Sequence, residues 1–126
     1  FSTVASFYDD IIEKIKPEII VGHCIGAYWA LKMSLLHQIP CVIANPRLAP
    51  DFRDDYPSIN ETDLDHNVPQ VAYLELGDEL IDMYAAQEIL ENHMLIQAVE
   101  GGHHRLLKPE NINQLIEHLE QQYLYK

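Results

Sequence analysis

The chain has 126 residues, 48% of them hydrophobic and 22% charged, enough for one compact domain and too few for two. Twenty acidic residues against eight basic ones give a formal charge of −12, a surface that repels a phosphate backbone and argues against nucleic-acid binding. No run of eighteen apolar residues occurs, and no secretory leader pattern opens the chain, so no membrane association is expected.

The elements alternate. From about Thr3 to Ile15, Val4, Phe7, Ile11, Ile12 and Ile15 recur at helical spacing, and Pro17 ends the helix. Ile19-Ile20-Val21-Gly22 is a short β-branched run of the kind found in strands buried on both faces. A helix is expected from Gly26 to about His37, and a second buried strand over Cys41-Val42-Ile43-Ala44. Residues 46–69, rich in Pro, Asp and Asn, read as a loop or small cap with a turn or two of helix. A third strand over Val71–Leu76, a helix from Met83 to Glu91, a fourth strand over Leu95–Val99 and a last helix from Pro109 to Tyr123 complete the pattern. Strands and helices alternating at these lengths predict an α/β fold, a mostly parallel sheet with flanking helices. Periodicity alone leaves Rossmann-like, flavodoxin-like and hydrolase topologies open.

The two cysteines, Cys24 and Cys41, have neither CxxC nor zinc spacing. One ends a strand and the other begins the next, so no disulfide is expected, which fits a reducing, cytoplasmic location. The first residue is Phe1 rather than Met, which suggests a segment upstream. The −12 charge also disfavours anionic substrates, although solubility alone explains such a balance.

Between the first strand and the next helix stands Gly22-His23-Cys24-Ile25-Gly26, a Gly-x-nucleophile-x-Gly turn with cysteine at its centre. A nucleophile on a sharp strand-to-helix turn needs glycines two before and two after it, where side chains would collide with neighbouring backbone. The Ile25 N–H then becomes an oxyanion donor, and the positive end of the helix favours a thiolate placed there. The alternative is a small buried cysteine between closely packed glycines. A dinucleotide fingerprint fails because position 24 is not glycine, and GxxxxGK is absent. A cysteine-phosphatase loop fails because Ala30 stands where its arginine would be.

A triad also needs an acid and a base, in the order nucleophile, acid, histidine. Asp78 follows the third strand in Gly77-Asp78-Glu79, and His103-His104 follow the fourth in Glu100-Gly101-Gly102-His103-His104. All of these fall at C-terminal strand ends, where open α/β sheets carry their working residues. Asp78 could equally be a turn cap, and Asp82 competes as the acid but is better explained as the cap of the Met83 helix. One histidine of the doublet is expected to be the base. A metal site of Asp78, His103 and His104 is disfavoured because adjacent histidines point apart.

The run from Gly22 to Ala30 resembles the elbow of the small bacterial YqiA-like esterases, which read GSSLGGYYA. The likeness continues through Ala44-Asn45-Pro46, through Leu76 to Asp82, and through Glu100-Gly101-Gly102-x-His104, spanning nearly the whole chain. The resemblance implies the C-terminal half of an α/β-hydrolase fold, residues 1–126 forming a partial domain that lacks the N-terminal strands. It implies hydrolysis of a carboxylic ester or thioester with Asp78 as acid and His104 as base, His103 being the alternative. It also places the family's His-Gly loop, source of a second oxyanion donor, upstream of Phe1. Cysteine replaces the family's serine, as in the Gly-x-Cys-x-Gly elbow of dienelactone hydrolases, and Arg105-Leu106 stand where the family has small or aromatic residues.

The expectation is therefore a Cys24–His104–Asp78 hydrolase of a small-molecule ester or thioester, with no cofactor and no metal, leaving homo-oligomerisation open. Tyr28 and Arg47 are candidate pocket residues, with core packing and a solvated loop charge as the plainer alternatives. A catalytically silent relative serving as a binding or interaction domain is the competing function.

Overall fold

The computed structural model describes residues 1–124. In chain order its elements are α1 (Ser2–Ile15), β1 (Ile20–His23), α2 (Ile25–His37), β2 (Cys41–Ala44), α3 (Glu61–Leu64), β3 (Gln70–Glu75), α4 (Met83–Leu90), β4 (Leu95–Val99) and α5 (Glu110–Leu119). A wider π-type turn over Glu120–Leu124 follows α5. Pro17 cannot continue a helix, and α1 closes just before it on a left-handed Lys16 whose N–H reaches the Ile12 carbonyl at 2.8 Å.

The four strands are parallel and lie in the order β1-β2-β3-β4. Alternation along the strands divides the core between the two faces of the sheet. Cys41, Ile43, Ala72 and Leu74 face α2 and α4, meeting Ala27, Leu31, Met83 and Leu90. Val42, Ala44, Val71 and Tyr73 face α5, meeting Leu115 and Leu119. The larger aliphatic side chains among these contribute about 1.5–3 kcal/mol each when fully buried. β2 and β3 are buried along their whole length, as their apolar runs predict.

The first strand departs from expectation. β1 is an edge strand whose residues alternate between half-buried and exposed, and Val21 is 48% exposed. A β-branched run reads the same whether or not a neighbour covers it, because composition reports strand propensity and not position in the sheet. Beside this edge runs an apolar groove between α1 and α2, lined by Tyr8, Ile12, Ile20, Val21, Trp29 and Met33.

The segment after β2 is pinned down. Asn60 and Asp63 form a reciprocal capping box that starts α3. The Asp63 carboxylate also lies 3.0 Å from the Lys32 ammonium of α2, both groups largely buried. The Tyr28 hydroxyl, also on α2, donates to the Pro57 carbonyl at 2.6 Å. These contacts fix the loop over the helix that begins at the glycine-flanked turn.

Candidate active site

Cys24 is the N-cap of α2, with φ 58° and ψ −116°. That left-handed backbone is uncommon for a residue with a Cβ and costs on the order of 1–3 kcal/mol, a strain held by the surrounding bonds. The Cys24 N–H donates to the Ala44 carbonyl at 3.1 Å, and the Cys24 carbonyl accepts from Ala27 and Arg47 N–H, each at 3.1 Å. A Cβ at Gly22 would lie 2.2 Å from the Gly26 carbonyl oxygen, so the turn closes only with glycine there. Gly26 corrects the symmetric expectation. A Cβ there would meet nothing within 4 Å, so its backbone is what Gly22 must clear and its own missing side chain relieves no collision.

The candidate acid and the candidate base meet at the next strand ends. Asp78 is fully buried in its side chain, and its Oδ2 accepts from His104 Nδ1 at 2.8 Å. Because a carboxylate only accepts, Nδ1 carries the proton and Nε2 is left as the basic nitrogen. Asn45 Nδ2 also donates to Asp78 Oδ2 at 2.9 Å, and the backbone N–H groups of Leu80 and Ile81 donate to Oδ1 at 2.8 and 2.9 Å. Burial pushes the Asp78 pKa up, but the bonds from His104, Leu80, Ile81 and Asn45 outweigh it and hold the carboxyl below its usual range. Asp82 caps α4, accepting from the Ala85 N–H at 3.1 Å, and takes no part in this cluster.

His103 points elsewhere. Its Nδ1 lies 3.4 Å from the exposed Glu79 carboxylate, on the protein surface. Tyr28 is fully buried and its hydroxyl is committed to Pro57, with burial pushing its pKa up to about 12. The expectation that Tyr28 lines a pocket is therefore corrected to a packing role. Arg47 sits at the turn, bonded through its N–H to Cys24, while its guanidinium reaches Asp51 at 3.2 Å and lies over the Phe52 ring. Cys41 is buried and free, its thiol pushed up to about 12 by burial, and Cys24 is free and partly exposed.

Three residues of this region carried no role in the sequence reading. Asn45, left-handed at φ 40°, ties the ends of β2 and β3 by accepting from the Glu75 N–H at 2.8 Å while donating to Asp78. Its one sequence signal is an Asn-Pro pair directly after a strand. Glu75 is a fully buried carboxylate that accepts from the Tyr73 hydroxyl at 2.7 Å and from the N–H groups of His103, Leu107 and Lys108. Burial favours its neutral form, yet these four donors lower its pKa below the usual range. A Cβ on Gly102, at φ 81°, would fall 2.2 Å from Glu75 Oε1, so the second glycine of Gly-Gly is what lets the loop lie on this carboxylate. His23 donates from Nε2 to the His104 carbonyl at 2.8 Å, and the two imidazoles lie 5.1 Å apart. Only its place in the strand-to-helix turn, one residue before Cys24, drew it into the site.

Among the described residues no cluster of three metal-ligating side chains occurs, and no helix is long and apolar enough to cross a membrane. Residues 2–63 match UPF0227, described as an uncharacterised protein family. A search of the curated proteins gave no match. Among solved structures the fold is similar to MGS-MChE2, an alpha/beta hydrolase enzyme from the metagenome of sediments from the lagoon of Mar Chica, Morocco, at 15% sequence identity and a TM-score of 0.70. The match covers 96% of this chain and 69% of that one. The structural likeness shows an α/β-hydrolase-type fold, and the family match over residues 2–63 accords with the resemblance drawn from the sequence.

Proposed function

We propose that this chain carries the catalytic residues of a hydrolase that cleaves carboxylic esters or thioesters through Cys24, His104 and Asp78. The observation that carries the reading is the 2.8 Å bond between His104 Nδ1 and a buried, fully bonded Asp78 carboxylate. That bond leaves Nε2 as base at the same end of the sheet as a left-handed, strand-to-helix cysteine. His103, turned to Glu79, has no such acid behind it.

The chemistry follows from these positions. Cys24 Sγ attacks the substrate carbonyl carbon as its proton passes to His104 Nε2. The oxygen of the tetrahedral intermediate becomes an anion, and the Ile25 N–H, which has no acceptor among the described residues, is placed to donate to it. Collapse expels an alkoxide or thiolate, which takes the proton from His104. Water, deprotonated by the same Nε2, then attacks the acyl-cysteine, and the free acid and thiol are released. Asp78 keeps the ring oriented and stabilises the imidazolium formed in each half. Arg47, adjacent to the turn, is the remaining candidate for contact with the substrate.

The alternative, a silent relative acting as a binding domain, draws on the absence of any hydrogen bond between Cys24 Sγ and His104 among the described residues. Mixing the protein with a p-nitrophenyl ester and trapping the reaction in acid separates the two readings. An acyl mass on the peptide containing Cys24 supports the hydrolase, and no adduct at any acyl length supports the binding domain.

A further inference from the structure

His104 lies in a loop outside the helices and strands, so its position depends on what binds its polar atoms. Three side chains do so. Asp78 takes the ring Nδ1–H, Glu79 accepts from the His104 backbone N–H at 3.1 Å, and His23 donates from Nε2 to the His104 carbonyl at 2.8 Å. Two of these come from the loop after β3. The third comes from the last residue of β1, directly before Cys24.

With no hydrogen bond joining Cys24 Sγ to His104 among the described residues, the nucleophile's turn and the base's loop are linked through His23. The turn itself is fixed to β2 by the Cys24 N–H to Ala44 bond, so a group attached to His23 shares its frame. Since a carbonyl oxygen only accepts, the His23 Nε2 must carry a proton, and the neutral ring suffices for this. We infer that His23 is a positioning residue: its Nε2–H to His104 carbonyl bond sets the distance of the base from the cysteine. The inference rests on the triad proposed above. It assigns a task to the first variable position of the Gly-x-Cys-x-Gly turn.

The test compares His23→Ala, His23→Gln and His23→Asn with the unaltered chain. In glutamine the amide Nε2 stands the same number of bonds from Cα as the imidazole Nε2, and in asparagine it falls one bond short. Two quantities are read: ester hydrolysis, and solvent exchange of the His104 Nδ1 proton by NMR on 15N-histidine-labelled protein. His23→Ala should raise the exchange rate and lower kcat, each by about three- to tenfold, the kinetic equivalent of one hydrogen bond, with KM within about twofold. His23→Gln should restore both, and His23→Asn neither. Unchanged exchange in His23→Ala overturns the inference, as does faster exchange with unchanged kcat, or a glutamine variant as impaired as alanine. If the unaltered chain hydrolyses no ester, the triad reading fails by that result, while unchanged proton exchange in His23→Ala would overturn the tether on separate grounds.

Discussion

The Asp78 carboxylate and the His104 imidazole meet at 2.8 Å across the ends of β3 and β4, and neither Asp78 oxygen is left without a donor. This bond decides the tautomer of the base, so its removal should affect rate more than binding. In Asp78→Asn the amide can present N–H to His104, which then carries its proton on Nε2 and can no longer accept one. The expected loss in kcat is about 10²- to 10⁴-fold with KM little changed, the upper end being the effect seen when a serine hydrolase loses its acid in this way. Steady-state kinetics on the variant checks it, and a loss confined to KM would contradict the role.

Alkylation separates the two thiols. Cys41 is fully buried with its thiol raised to about 12, whereas Cys24 is partly exposed at a turn. Brief iodoacetamide treatment at neutral pH followed by peptide mass mapping should find Cys24 modified first and Cys41 modified only on unfolding. Equal labelling of the folded protein would mark Cys24 as an inert core residue.

The glycines of the turn are predicted to differ. Gly22→Ala places a Cβ 2.2 Å from the Gly26 carbonyl, a backbone atom that cannot swing away, and should cost about 3 kcal/mol or more. Gly26→Ala meets nothing within 4 Å and lies in the first turn of α2, so it should be neutral or stabilise by up to about 1 kcal/mol. Urea denaturation of both variants measures the contrast.

Glu75 should make stability depend on acid. Its folded pKa, like that of Asp78, lies below the value of the unfolded chain. The stabilisation is therefore complete above the ordinary carboxylate range, about pH 4–5, and is lost as pH falls through the lowered folded values. Glu75→Ala would orphan three backbone N–H groups and the Tyr73 hydroxyl, costing about 3 kcal/mol or more at pH 7 and less at pH 3. Denaturation curves at the two pH values check both the cost and its direction, and a cost that does not shrink in acid would refute the argument.

The sequence made some of this legible and concealed the rest for identifiable reasons. Strand and helix periods located β2, β3, α2 and α4 because tertiary burial there agrees with local pattern. The pairing of Asp78 with His104 was readable because both follow strands and the sheet puts those strand ends side by side. The exposure of β1 was not, since nothing in Ile-Ile-Val reports whether a neighbouring strand is present. Asn45, Glu75 and His23 escaped because each acts through bonds to residues 28 to 81 positions away, and no local spacing encodes such partners. Tyr28 misled for the opposite reason: proximity to the turn in sequence suggested the site, while its side chain serves the loop behind it.

The central claim is that Cys24 attacks and His104 moves its proton, and substituting the nucleophile tests it most directly. A serine hydroxyl is not ionised at neutral pH and depends on the base and acid more fully than a thiolate does. Hydrolysis of short p-nitrophenyl esters by the protein should vanish in Cys24→Ala. It should persist or rise in Cys24→Ser, and be abolished again when His104→Ala is added to the serine variant. Activity that survives Cys24→Ala, or a serine variant indifferent to His104, would contradict the account.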